Sequence, residues 1–127
     1  MQALLSTGHA HHKDVLAHVQ VVAQRKRRAV SVHVVVPTAV RVEAGWDRAA
    51  PAAALANQLR IRDVVLDTTA TNVAAAIRTR DAVSVAGAHL AAAVTAASTL
   101  GQVTVITGDP NDMGKVTQPQ VVTIVTL

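Results

Sequence analysis

Thr107, Asp109 and Asp112 are the residues of this chain whose types and spacing best suit chemistry. They follow Val103-Thr-Val-Ile, an apolar, β-branched run that reads as a buried strand and stops abruptly at Thr107-Gly108-Asp109-Pro110. A strand ending this way delivers acidic groups to the carboxyl edge of a parallel sheet, where open α/β folds place their sites. Carboxylates gathered there suit a hard cation such as Mg²⁺ or Mn²⁺, and the Thr107 hydroxyl suits the orientation of a bound water or carboxylate. The same residues also suit a plainer role. Asp-Pro-Asn-Asp is a good turn, so Asp112 reads equally as a turn or helix cap.

The chain has eight carboxylates, Asp14, Glu43, Asp47, Asp63, Asp67, Asp81, Asp109 and Asp112, and Glu43 is the third candidate ligand among them. Val30 to Val36 is a strong strand signal closed by Pro37, and a helix is expected from Pro37 and Thr38 to Trp46, because proline is favoured in a first helical turn. Glu43 on that helix is then expected near the same carboxyl edge as Asp109.

The other elements follow from periodicity and caps. Lys13 to about Arg28 reads as an amphipathic helix ending in Arg25-Lys26-Arg27-Arg28. That basic run suits a solvated helix end facing the negative pole of the dipole, or a contact to RNA phosphates. Ala50 to Leu59 reads as an Ala-rich helix begun by Pro51, and Ile61 to Leu66 as a strand. Asp67, Thr68 and Thr69 offer an N-cap for a helix from Ala70 to Arg78. Val85 to Leu100 reads as a long Ala-rich helix ended by Gly101, and Val121 to Val125 as the last strand. Alternating helices and strands with short connections imply a parallel, three-layer α/β fold in one domain over residues 1–127.

Other chemistry-bearing residues carry less. His9, His11 and His12 lie close together, yet offer no i, i+4 pair on a helix and no cysteine partner, so they read as solvated rather than zinc-binding. His89 reads as a packed histidine before a general base, and Trp46 as a core or interface anchor. Nucleophile elbows and phosphate-binding glycine loops are absent from the sequence.

Composition bounds the function classes. Half the residues are apolar, which argues against disorder, and Ala and Val dominate while Trp46 is the only aromatic residue. The net charge of +4 favours polyanions or an acidic partner chain. The lack of cysteine excludes disulfides and thiolate sites and fits a reducing cytoplasm. No run is long and apolar enough for a membrane span, and no signal peptide is legible, so a cytoplasmic protein without membrane attachment is expected.

Val105-Ile-Thr-Gly-Asp-Pro-Asn-Asp-Met113 resembles the "V-[IV]-T-S-D-P-x-D-L" segment of PIN-domain proteins, especially the small VapC-type toxins of bacterial toxin–antitoxin pairs. Three more stretches agree in order. Val34-Val-Val-Pro-Thr-Ala-Val-Arg-Val-Glu43 resembles the strand and helix that carry the family's second acidic residue. Gly87-Ala-His-Leu-Ala91 resembles its "D-A-H-x-x" helix start, and Val121 to Leu127 its closing strand. The likeness covers nearly the whole chain.

The resemblance implies a three-layer α/β/α PIN-like domain with a mainly parallel sheet and a metal-dependent endoribonuclease activity. In such an enzyme an acidic ring binds Mg²⁺ or Mn²⁺ and activates a water against an RNA phosphodiester. It further implies a homodimer neutralised by a cognate antitoxin. Glu43 takes the second acidic position, Asp109 the fourth, and Asp112 an accessory one, with Thr107 beside them and Arg25 to Arg28 as an RNA contact. Two positions depart from the pattern. The chain opens at Met-Gln-Ala-Leu-Leu, which aligns after the family's first aspartate, so the central first strand is expected to be missing or truncated here, or to lie upstream of Met1; and Gly87 stands where the third acid belongs. These losses imply impaired catalysis, or, alternatively, a non-catalytic PIN-like module that binds an antitoxin or a paralogue.

Overall fold

The computed structural model of the chain describes residues 2–27, 33–120 and 122–126. These form a mixed α/β arrangement: α1 (Gln2–Leu5), α2 (His12–Arg27), β1 (Val35–Pro37), α3 (Thr38–Glu43), α4 (Ala54–Gln58), β2 (Arg62–Val64), α5 (Thr68–Arg80), α6 (Val85–Ser98), β3 (Val103–Thr107), α7 (Pro110–Val116) and β4 (Val122–Thr126). A 3-10 turn at Pro51–Ala53 precedes α4. Two compact units emerge, Met1–Val36 with Arg41–Asp63, and Pro37–Val40 with Val64–Leu127.

In the first unit α1 packs on α2, and His12 Nδ1 lies 2.7 Å from the Ala3 carbonyl oxygen. β1 and β2 pair in a two-stranded sheet, and the Arg62 N–H donates to the Val34 carbonyl at 3.0 Å. The strand expected from Val30 begins at Val35: residues 30–32 lie outside the described set, and His33 and Val34 are described but not in the strand. The helix expected to reach Trp46 stops at Glu43, because the chain turns through Gly45 in the left-handed region at φ 62°, which glycine adopts without a Cβ clash. Trp46 is buried, as an anchor should be.

The second unit is built on a helical hairpin. Asp67 accepts the Ala70 N–H at 2.8 Å and starts α5, while Ser84 accepts the Gly87 N–H at 3.0 Å and starts α6. Each cap satisfies an amide that has no acceptor within its helix. Small residues let the two helices approach: Ala74 and Ile77 of α5 meet a buried face of α6 made of Ala88, Ala91, Ala92 and Val94. β3 and β4 run parallel in register Val103↔Val122 through Thr107↔Thr126, joined by α7 as a crossover. Val105, Met113 and Val116 complete the core, with Val103, Val122 and Ile124 half-buried against it. One face of this strand pair therefore looks into the helices, and Thr104, Ile106 and Thr123 on the other are exposed.

Among the described residues no helix is long and apolar enough to cross a membrane.

Candidate functional site

The end of β3 is the candidate site. The Asp109 N–H donates to Thr107 Oγ1 at 3.0 Å, so the strand-end threonine steadies the turn through Gly108. Asp109 then leaves extended geometry, and its Oδ1 accepts the Asp112 N–H at 3.2 Å. Pro110 fills the first helical position, where a missing N–H costs nothing. Asp-Pro-Asn-Asp is thus a helix start rather than a free turn. Asp109 is the cap, and Asp112 sits in the first turn, where a carboxylate meets the positive pole of α7. Both carboxylates are exposed and Thr107 is half-buried.

The remaining expected ligand is elsewhere in the chain order of units: Glu43 closes α3 in the first unit, exposed and without a hydrogen-bond partner among the described residues, whereas Asp109 and Asp112 belong to the second. Gly87 is the third residue of α6. A Cβ placed there would lie 3.3 Å from Ser84 Oγ and 3.8 Å from Met113 Cε, so the position looks toward α7 and bears no ligand.

Most of the other carboxylates have structural partners. Asp67 caps α5; Asp81 accepts from Arg80 Nε at 2.6 Å; Asp47 accepts the Ala49 N–H at 2.9 Å; and Asp63 receives Arg48 Nη2 at 2.9 Å together with Arg41 Nη1. Burial works to raise the pKa of Asp63, but the Arg48 hydrogen bond and the charges of Arg41 and Arg48 outweigh it and hold the carboxyl below its ordinary 3.8.

The donor set can therefore be tested against a divalent ion. Mg²⁺ asks for near-octahedral oxygen coordination and usually keeps several waters, one or two protein carboxylates and substrate phosphates completing the shell. Among the described residues no three of His, Asp and Glu gather where they could share a metal ion. Asp109, with Oδ1 spent on the helix cap, and Asp112 are the two carboxylates that the end of β3 offers. The histidine-rich stretch holds no such group either: His9 Nδ1 accepts the His11 N–H at 3.2 Å, and His11 Nδ1 stands 3.5 Å from Asp14.

Of the basic run, Arg25 lies exposed in the last turn of α2, Lys26 and Arg27 complete that helix, and Arg28 lies outside the described residues. An open groove of about 500 Å³ in the second unit, lined by Asn72, Ile77, Arg80, Thr95 and Gln118 among others, includes none of Thr107, Asp109 or Asp112. Sequence reasoning missed the capping duty of Asp109. The Asp-Pro pair carried the signal, since proline favours both a turn's second position and a helix's first.

Compared with protein-family models, with curated proteins and with solved structures, the chain matches none. The likeness to PIN-domain proteins accordingly rests on the four sequence segments alone.

Proposed function

We propose that this chain is a PIN-like relative of VapC-type toxins whose working role is to bind an antitoxin-type partner chain, with the ancestral ribonuclease chemistry reduced to a remnant. The observation that carries this reading is the glycine at position 87. The segment Gly87-Ala-His-Leu keeps the family's helix start and loses its acid, and the remaining strand-end carboxylate, Asp109, doubles as the cap of α7. The three-layer α/β/α arrangement, the homodimer and the Mg²⁺ dependence of the family belong to the same reading as ancestry.

Charge supports a binding role. A chain of net charge +4 with Arg25 to Arg28 in one run attracts an acidic partner or RNA from a distance, and such attraction survives the loss of catalytic groups. Rate enhancement does not survive it so well: each deleted group that stabilises transition-state charge removes about 10²- to 10³-fold.

The deciding experiment incubates purified protein with RNA and Mn²⁺ beside an Asp109→Asn variant. The expected outcome is no cleavage by the parent chain above that of the variant, and no specific Mg²⁺ uptake by calorimetry. Cleavage by the parent that disappears in Asp109→Asn would replace this reading with that of an active metal-dependent endoribonuclease.

A further inference from the structure

His89 is fully buried, with 0% of its surface exposed, on a helix otherwise made of small and aliphatic residues and threonine or serine. The other buried polar side chain among the described residues, Thr117, hydrogen-bonds within its own turn, donating to the Met113 carbonyl at 2.7 Å. His89 instead reaches a different element. The Ala39 N–H, in the first turn of α3, donates to His89 Nδ1 at 3.4 Å. The first amides of a helix have no intrahelical acceptor, so the imidazole does for Ala39 what a capping side chain does elsewhere.

An accepting Nδ1 requires the neutral ring with its proton on Nε2. Nε2 is buried and has no hydrogen-bond partner of good geometry, the Val65 backbone acting on the ring only weakly. Burial holds the pKa of the ring below the ordinary 6.5, against the opposing influence of the Val65 carbonyl and the Asp67 charge. The charged groups on neighbouring elements are otherwise engaged or exposed. Arg78 and Arg80 of α5 bond to Val83, Asp81, Gln118 and Val116, while Asp112 and Lys115 of α7 are exposed. β3 and Pro37–Val40 carry no charge.

Pro37–Val40 is the stretch ahead of Val64 that belongs to the second unit. We propose that His89 is an acid-operated latch on this stretch, holding the Ala39 amide when neutral and releasing it when protonated. A proton taken from solvent onto Nδ1 turns the acceptor into a donor, so two N–H groups face each other and neither is satisfied. The positive ring is then left buried with Asp67 as its counter-charge, and the arrangement relaxes by letting the α3 turn go. This inference is independent of any nuclease or antitoxin role.

The test is a ¹H–¹⁵N NMR titration of the full chain from pH 8 to 4.5. The Ala39 amide is expected to shift in step with the His89 ring, with a midpoint below 6.5, and its hydrogen exchange, corrected for the intrinsic pH effect, to rise about tenfold or more across the transition. In His89→Gln the side-chain carbonyl can accept the same amide without titrating, so Ala39 is expected to stay protected and unmoved over the whole range. An Ala39 amide that ignores the His89 titration, or that titrates equally in His89→Gln, overturns the latch. If His89→Gln does not fold, the parent titration alone decides between these outcomes, read on Ala39 against the ring's Cε1–H.

Discussion

Oδ1 of Asp109 accepts the backbone N–H of Asp112 at 3.2 Å, which makes the best-placed candidate ligand of the chain also the N-cap of α7. The two roles separate by substitution. Asparagine caps as well as aspartate, so Asp109→Asn is expected to leave stability nearly unchanged, whereas Asp109→Ala is expected to cost about 1 kcal/mol. Urea denaturation of both variants checks this. Equal losses in the two would show that the carboxylate charge, not the cap geometry, is what the fold uses.

Gly87 is the matching position on α6. Its φ is ordinary, so nothing in the backbone demands glycine there. Replacing it with alanine removes unfolded-chain freedom and improves helix propensity by about 0.5–1 kcal/mol. The 3.3 Å approach of the new Cβ to Ser84 Oγ takes back part of that gain, and the Ser84 rotamer can yield. A net stabilisation of a few tenths of a kcal/mol is therefore expected for Gly87→Ala. Gly87→Glu goes further, since Ser84 at the cap with glutamate three residues on completes a capping box. Its thermal midpoint is expected above that of Gly87→Ala; a midpoint below the parent's would mean that Met113, 3.8 Å from the Cβ position, cannot accommodate the side chain.

Two acid transitions are expected, in different units. The Asp63 pKa is lowered in the fold, so its contribution is present above the unfolded value near 3.8 and is lost as pH falls through the lower folded value. The His89 pKa is also lowered, so the unfolded chain binds more protons than the fold just below pH 6.5, and stability declines as pH falls through that window. Because Trp46 is the only aromatic residue and belongs to the first unit, its fluorescence follows the Asp63 transition, while helical circular dichroism follows both. Asp63→Asn should erase the fluorescence-detected loss that sets in below about pH 3.8, and His89→Gln should flatten the circular dichroism change beginning below about pH 6.5.

Trp46 itself is held by charge as well as by burial. The guanidinium of Arg48 lies 4.4 Å from its ring centroid and that of Arg41 5.1 Å, and Asp63 ties both arginines in place. Trp46→Ala is expected to cost about 3–5 kcal/mol through the cavity it leaves. Trp46→Phe keeps an aromatic face for the arginines and removes the buried Nε1 that has no hydrogen-bond partner, so it should cost clearly less, roughly 1–2 kcal/mol. Circular dichroism must follow these variants, since the fluorophore is lost. Equal costs would mean that the arginines do not use the ring face.

Particular elements show where sequence reasoning reached and where it stopped. α5 and α6 were legible because Asp67, Thr68 and Thr69 offer a cap to the first and Gly101 closes the long Ala-rich run of the second, and such local signals do not depend on distant partners. α7 was not, because Met113 and Val116 give barely one repeat of helical periodicity, and Asp109 to Asp112 reads as a turn. The strand Val103–Thr107 was legible from its β-branched residues, yet its register against β4 depends on contacts across the α7 crossover that no local pattern encodes. The site follows the same division. That Asp109 stands at a strand end could be read directly; that its carboxylate caps a helix required knowing where the Asp112 amide points. The grouping of Glu43 with Asp109 was an inference across two compact units, and side-chain spacing within one segment carries no information about it.

The seam between α5 and α6 makes the sharpest packing prediction. Ala88 and Ala91 are fully buried at 0% exposure, beside Ala74 and Ile77, so the helices approach as closely as methyl groups allow. A larger side chain must push the helices apart or twist into a poor rotamer, and Ala91→Leu is expected to cost about 1–3 kcal/mol despite its greater hydrophobicity. Ala91→Gly errs in the other direction, losing about 1 kcal/mol of helix propensity and leaving a void. Ala96, exposed on the same helix, is the control: Ala96→Leu should stay within about 0.5 kcal/mol of the parent. Chemical denaturation of the three variants decides the matter. If Ala91→Leu were as harmless as Ala96→Leu, the seam would have room that close Ala-on-Ala packing does not leave, and α6 would be held chiefly by its cap and by β3.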